Sequence, residues 1–420
     1  MKKKINIIGC SFYSIVLAIL IKKDFKNKVS INFYDQSSGF LNAYKPIKIK
    51  KFKCNPGFHA FEDIRSKYLI SFLKKFVKFK KIKKTRGIIV KNILISYQKK
   101  FWPEKFCKNF SIKKKKINIS LINYKKYLPI KYLKYLKNNI GDSRIKFSNS
   151  IGMFYPWFFP PNYRLNNNDE GNIFNNKIRE KKINHAFLFP SSGLFQEISS
   201  KLEIFLKKQN IKLHFNKKIN FHRIDKKIYI NGIKDENDSI NIVCVPVIPL
   251  TSSLENFKHK LSTKPVKLFT ALLEVKNKDK NRLDRFIEII VSSHKFIGLR
   301  RISLYSEVLN TKKRKIYQIE FAEHKKFISI ESQLDHIIKG LSEYINNDQK
   351  IILIDYNFVR VTFSPNFQKL NLIANKVENF FLGSKNIFFP RKITWPINTN
   401  KQYHFALIDY KSLFKKKIKL

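Results

Sequence analysis

Glycine, alanine, cysteine and acidic residues are scarce in this 420-residue chain, which has 12 Gly, 8 Ala, 4 Cys and 30 Asp plus Glu. The cysteines stand at positions 10, 54, 107 and 244 and form no CxxC pair. Their spacing argues against a disulfide scaffold, a zinc ribbon or an iron–sulfur site. His185 and His404 have no ligand-type residues at metal-binding spacing, so no metal is expected. No apolar run reaches the ~18 residues of a membrane-spanning helix. The longest early run, 15–21, is bracketed by polar residues and lacks a small-residue cleavage site after it. A cytoplasmic location is the default expectation.

Lysine is abundant instead. Lys plus Arg total 85, only 13 of them Arg, and the formal net charge is +55. Lys, Asn, Ile, Phe and Tyr have A/T-rich codons, whereas Arg, Gly and Ala have G/C-rich ones. Genomic base composition therefore explains the charge without a dedicated polyanion partner, and no specific nucleic acid is expected. The field still attracts anionic lipid or phosphorylated substrates in a salt-dependent way. A hydrophobic fraction of 43% excludes a disordered polycation. The length suits two or three domains.

The N-terminus reads strand, turn, helix, strand. Lys4 to Ile8 is a short buried strand ending at Gly9. Ser14 to Lys23 is apolar on most sides, and Val29 to Tyr34 alternates and ends at Asp35. Such a βαβ unit belongs to parallel sheets. After Asp63, apolar residues at Tyr68, Phe72 and Phe76 step by four, which predicts a helix. The basic run Lys74–Lys84 interleaves aromatics on what reads as the end of that helix. It reads as a solvated helix face, with contact to an anionic membrane surface as the competing reading. The aromatic stretch 153–163 reads as a packed loop and 165–182 as an exposed connection. From Phe187 the α/β pattern returns: strand, Ser191-Ser192-Gly193, a helix through Leu206, and strands at 211–215 and 240–247. Sheet strands follow over 266–320, a helix over 332–344 and a late strand at 386–389.

Gly9-Cys10-Ser11-Phe12-Tyr13-Ser14 occupies the place of a G-x-G-x-x-G dinucleotide fingerprint, with Ser at the second and third glycine positions. Gly9 makes the turn, Ser11 faces a diphosphate with a hydroxyl, and Ser14 keeps helix and strand close. The helix N-terminus favours the anion. Asp35 closes the second strand, a placement that suits a carboxylate accepting both hydroxyls of an adenosine ribose, with an Asp that opens the turn Asp35-Gln36-Ser37-Ser38-Gly39 as the competing reading.

In this order the pieces resemble the flavin-dependent amine oxidase and protoporphyrinogen oxidase superfamily, which includes UDP-galactopyranose mutase. The resemblance runs through Ser37-Ser38-Gly39-Phe40, Asn55-Pro56-Gly57-Phe58-His59, Phe189-Pro190-Ser191-Ser192-Gly193 and the strand 242–246. It ends at Asn386-Ile387-Phe388-Phe389-Pro390-Arg391 and Trp395-Pro396-Ile397-Asn398. It implies a Rossmann-like FAD-binding domain, α/β in class, and a discontinuous mixed-sheet α+β substrate domain. Residues 1–62, 186–255 and 345–420 would form the first, and 63–185 and 256–344 the second. FAD contacts would fall at Gly9, Ser11, Ser14 and Asp35, with Ile219 at the adenine and Gly39, Arg391 and Asn398 near the diphosphate or ring. The expected activity is an FAD-dependent oxidation of a small-molecule substrate, with no catalytic acid or base assignable. A redox-neutral mutase on a nucleotide sugar is the alternative, for which Arg300, Arg301 and Tyr305 are the visible cluster. A non-catalytic relative binding an anionic surface is a third. His59 lies near the flavin or packs in a turn.

Overall fold

The computed structural model describes residues 2–57, 59–63, 66–83, 85–90, 93–96, 186–225, 227–233, 239–259, 265–276, 280–292, 296–309, 314–346, 348–362, 367–384, 386–390 and 399–413. The stretch 153–163, the connection 165–182, His185, Arg391 and Asn398 lie outside them.

A five-stranded sheet carries the N-terminal unit. Its order is Lys212–His214, Val29–Tyr34, Lys3–Ile8, Ser239–Val243, Ile387–Phe388, and every pair is parallel. In chain order that is 3-2-1-4-5, the doubly wound arrangement. Lys3–Ile8 and Val29–Tyr34 are buried on both faces over their last four residues, as strands inside a parallel sheet are. Helix Phe12–Phe25 lies between this sheet and the C-terminal helix Thr399–Leu413, and its residues from Phe12 to Ala18 are all buried. That enclosure explains its apolar character all round. Ser11 and Ser14 cap it reciprocally, each hydroxyl accepting from the other's backbone N–H.

Polar groups inside this sheet are neutral and matched. Asn6 Nδ2 donates to Ser239 Oγ at 2.9 Å and to Asn241 Oδ1 at 3.0 Å, and Asn32 Nδ2 donates to Asn6 Oδ1 at 3.2 Å. The three central strands are thereby tied at one level.

A seven-stranded mixed sheet forms the second layer, in the order Lys350–Thr362, Pro265–Lys276, Lys315–Ala322, Leu299–Leu304, Phe286–Ser292, Thr85–Val90, Ile93–Ser96. All its pairs are antiparallel except Phe286–Ser292 with Thr85–Val90. The segment 345–420, expected in the cofactor domain, opens with Lys350–Thr362, which pairs along its whole length with Pro265–Lys276. Helix Ile330–Leu341 packs its Leu334, Ile337 and Leu341 into the core. A three-stranded sheet, Phe61–Glu62, Phe187–Pro190 and Phe79–Ile82, bridges the layers.

Helix Lys67–Leu73 is shorter than its apolar spacing suggests. Lys74–Phe76 turn, and Phe79–Ile82 become a strand paired with Phe187–Pro190, so the middle of the basic run is sheet rather than helix. The strand expected over 240–247 stops at Val243. Pro246 precedes the short helix Val247–Thr251, because proline removes a ladder donor.

Candidate functional site: a cleft at the carboxyl ends of the parallel strands

Strands Lys3–Ile8, Val29–Tyr34 and Ser239–Val243 deliver their C-terminal ends to one cleft of about 410 Å³. In the doubly wound arrangement this is where the strand order reverses and ligands bind. Its floor is Gly9-Cys10-Ser11. Gly9 N–H donates to Tyr34 O at 2.8 Å, and Cys244 N–H donates to Ile8 O at 2.7 Å. Gly9 has φ +99°, and a Cβ there would stand 2.8 Å from the carbonyl carbon and oxygen of Cys244. Only glycine meets both demands.

Asp35 stands at the edge of the cleft. Its Oδ2 accepts from Cys10 N–H at 2.6 Å and its Oδ1 from Ser37 N–H at 2.7 Å. Those amides fix the carboxylate against the turn that begins the helix. Lys217 is the cleft's cation: its backbone N–H donates to Asp35 O at 2.9 Å, and its ammonium lies 5.7 Å over the Tyr34 ring. Tyr34 stacks on His214 at 4.7 Å. Burial, then Lys217 and Lys212, lowers the His214 pKa, so this ring is neutral beside the two lysines.

Ile219, Val245, Pro246 and Pro249 make an apolar wall, and Ile219 is 5% exposed. Across from it, Tyr44 hydroxyl and Thr399 hydroxyl lie 2.9 Å apart, and Gln402 Oε1 accepts from Tyr13 N–H at 3.1 Å. Among the expected contacts, Gly9, Ser11, Asp35 and Ile219 converge on this cleft. Ser14 is fully buried beneath it, its hydroxyl donating within the turn to Gly9 O and Ser11 O. Gly39 does not line it, and a Cβ added there meets nothing within 4 Å. Burial pushes the Cys10 thiol up to about 12, so it stays protonated and is no nucleophile at neutral pH.

Beyond Tyr44 the cleft gives way to a more polar end. His59 lies 6.4 Å from the Tyr44 ring and 5.5 Å from Phe195. Its Nε2 is 3.2 Å from Pro56 O, and since a carbonyl only accepts, Nε2 carries the proton. Burial lowers its pKa, partly opposed by Glu320. Asn55 holds the segment, donating to Gly193 O at 2.9 Å and accepting from Phe195 N–H at 2.9 Å. Glu288, buried, pairs with Arg86 and at 3.1 Å with Arg301, and Arg301 reaches Glu320 at 3.5 Å. Tyr305 hydroxyl donates to Lys53 O at 3.0 Å. Sequence reasoning misses Lys217, Tyr44 and Gln402. Each is brought to the cleft by a separate chain segment, and none belongs to a local motif.

Among the described residues no group of three or more His, Cys, Asp and Glu could hold a metal ion, and no helix is long and apolar enough to cross a membrane. No protein-family model and no curated protein sequence matches the chain. Solved structures do. A reduced UDP-galactopyranose mutase is similar over 99% of this chain and 94% of its own, with TM-score 0.66 and 12% identity. Wild-type putrescine oxidase bound to putrescine is similar over 99% and 100%, with TM-score 0.58 and 10% identity. A CLA-producing fatty acid isomerase from P. acnes is similar over 99% of each chain, with TM-score 0.55 and 12% identity. At 10–12% identity these likenesses show the fold alone: the chain shares the fold of UDP-galactopyranose mutase and putrescine oxidase, with a doubly wound parallel sheet.

Proposed function

We propose that the cleft binds FAD and that the chain is an FAD-dependent oxidoreductase of the amine oxidase and protoporphyrinogen oxidase type. The observation that carries the reading is a glycine that no other residue can replace, set between strand and helix, with the Asp35 carboxylate on the same cleft. The residues fit the nucleotide half of the cofactor. Gly9 leaves the backbone bare for a close approach, and Ser11 offers a hydroxyl at the helix N-terminus. Asp35 has lone pairs to spare for ribose hydroxyls, and Ile219 with Val245 and Pro249 gives an adenine an apolar face.

When bound, the flavin ring supplies the redox chemistry. This chain binds and orients around it. Lys217 balances Asp35 at the ribose end. Tyr44 closes the far side, and its hydroxyl, raised in pKa by burial, keeps its proton. His59 beyond it is held neutral with Nδ1 as its only acceptor. The polar sheet face is charge-balanced by its own arginines and glutamates. This weighs against the mutase alternative, since Arg301 is engaged by Glu288 and Glu320, and the Tyr305 hydroxyl by Lys53.

The test is the visible spectrum of purified protein, followed by reconstitution with FAD. The expected result is a yellow protein whose flavin, once reduced, reoxidises in air. In Asp35→Ala, FAD affinity falls about tenfold or more, the loss expected for hydrogen bonds to a charged group. A colourless protein that takes up no FAD would overturn the reading.

A further inference from the structure

Three helices share one outer face. The Tyr68 ring lies 6.1 Å from His404, Phe72 lies 5.4 Å from Tyr403 and from Phe76, and Phe76 lies 4.9 Å from Phe205. This aromatic ladder joins helix Lys67–Leu73 and the turn after it to helices Thr399–Leu413 and Gln196–Lys208. The buried sides of these helices point elsewhere, through Leu69 and Leu73, Ala406 and Tyr410, Leu202 and Leu206. Each helix also offers one large apolar side chain to solvent: Tyr68, at the end of the ladder, is 65% exposed, Ile204 50% and Ile408 49%.

The rim of this face is cationic. Lys75 lies one turn from Phe72, Lys201 and Lys208 one turn on either side of Phe205, and Lys411 two turns from His404, all exposed. Nearby acids are already engaged. Glu203 pairs with Lys207 at 2.7 Å, Asp409 accepts from Tyr13 hydroxyl at 2.9 Å, and Asp24 accepts from Tyr410 hydroxyl. Lysines ringing aromatic and aliphatic side chains, with the nearby described acids engaged elsewhere, are what an anionic lipid surface takes up.

We infer that this face docks on an anionic bilayer, with Tyr68, Ile204 and Ile408 entering the interfacial layer and the surrounding lysines meeting lipid phosphates. Single-stranded nucleic acid suits the face less well. The Tyr68 and His404 rings meet edge to face at 73°, so they make no stacking platform for bases, and Ile204 and Ile408 gain only from hydrocarbon. The helix that carries His404 and Ile408 also lines the cleft with Thr399 and Gln402, so a docked chain holds its cleft about one helix diameter, ~10 Å, from the bilayer.

The experiment is co-sedimentation of the full chain with phosphatidylcholine vesicles containing about one-third phosphatidylglycerol, near physiological salt, where free charges are screened beyond ~8 Å. Phosphatidylcholine vesicles and a single-stranded oligonucleotide serve as comparators. The double variant Tyr68→Ser/Ile408→Ser removes apolar surface and no charge. Ile328→Ser/Leu382→Ser does the same at positions 103% and 68% exposed elsewhere. The expected result is binding to the anionic vesicles that drops about tenfold or more in the first variant and stays within about twofold in the second. Thermal melting of both variants confirms that they fold. Equal binding by the wild type and Tyr68→Ser/Ile408→Ser, equal loss in both variants, or binding to the oligonucleotide but not to the vesicles would each overturn the inference.

Discussion

In the parallel sheet the buried polar groups are neutral amides and hydroxyls, with Asn6, Asn32, Asn241 and Ser239 linking adjacent strands. In the seven-stranded sheet they include charged groups beside neutral ones such as Thr270 and Gln318, with Glu288 buried between Arg86 and Arg301. The first arrangement leaves the neighbouring cleft with few fixed charges, so Asp35 and Lys217 dominate its field. The second ties together segments up to 202 residues apart and presents a polar wall whose charges cancel. One region is built to receive a nucleotide's charge, and the other carries its own.

Breaking the charged region should cost most. Glu288→Ala takes from Arg86 and Arg301 the buried carboxylate they share, leaving them Glu62 and Glu320, and should destabilise the fold by about 3–5 kcal/mol in urea titration. Asn6→Ala, its neutral counterpart, should cost about 1–3 kcal/mol. Equal losses would erase the distinction between the two sheets. Gly9→Ala should cost about 3 kcal/mol through positive φ and backbone overlap, and should abolish FAD uptake by the protein that remains folded. Ser14→Ala removes half of the capping box and should cost about 1 kcal/mol, which a melting curve resolves.

The smallest effect concerns pH. His59 is harder to protonate folded than unfolded, so the unfolded chain binds the proton first as pH falls below the ordinary 6.5. The stability held above that pH is then lost on the acid side, with His214 acting in the same sense. His59→Gln should flatten that acid-side decline without changing stability at pH 8.

The βαβ unit was legible in the sequence because its signals are local. Strand, Gly9, helix and Asp35 lie within one continuous stretch, and the apolar patterns of 3–8 and 29–34 suit strands buried on both faces. The capping exchange between Ser11 and Ser14 shows why the missing glycines did not hide it: serine fills both places with its hydroxyl satisfied. The seven-stranded sheet was less legible, since its order depends on pairings such as Arg86 with Glu288 that no local pattern encodes. Lys350–Thr362 carried a readable signal, a β-branched and aromatic run without Gly or Pro, yet nothing nearby says which sheet it joins. Lys217 and Gln402 reach the cleft only through the folded topology.

The central claim is that the cleft beside Gly9 and Asp35 holds FAD, and titration of FAD into the full chain, followed by quenching of flavin fluorescence, tests it most directly. The account predicts saturation at one FAD per chain, at least about tenfold weaker binding in Asp35→Ala, and unchanged binding in Ser191→Ala, whose hydroxyl bonds to Glu197 away from the cleft. An absence of saturable binding, or binding indifferent to both Gly9→Ala and Asp35→Ala, would contradict it.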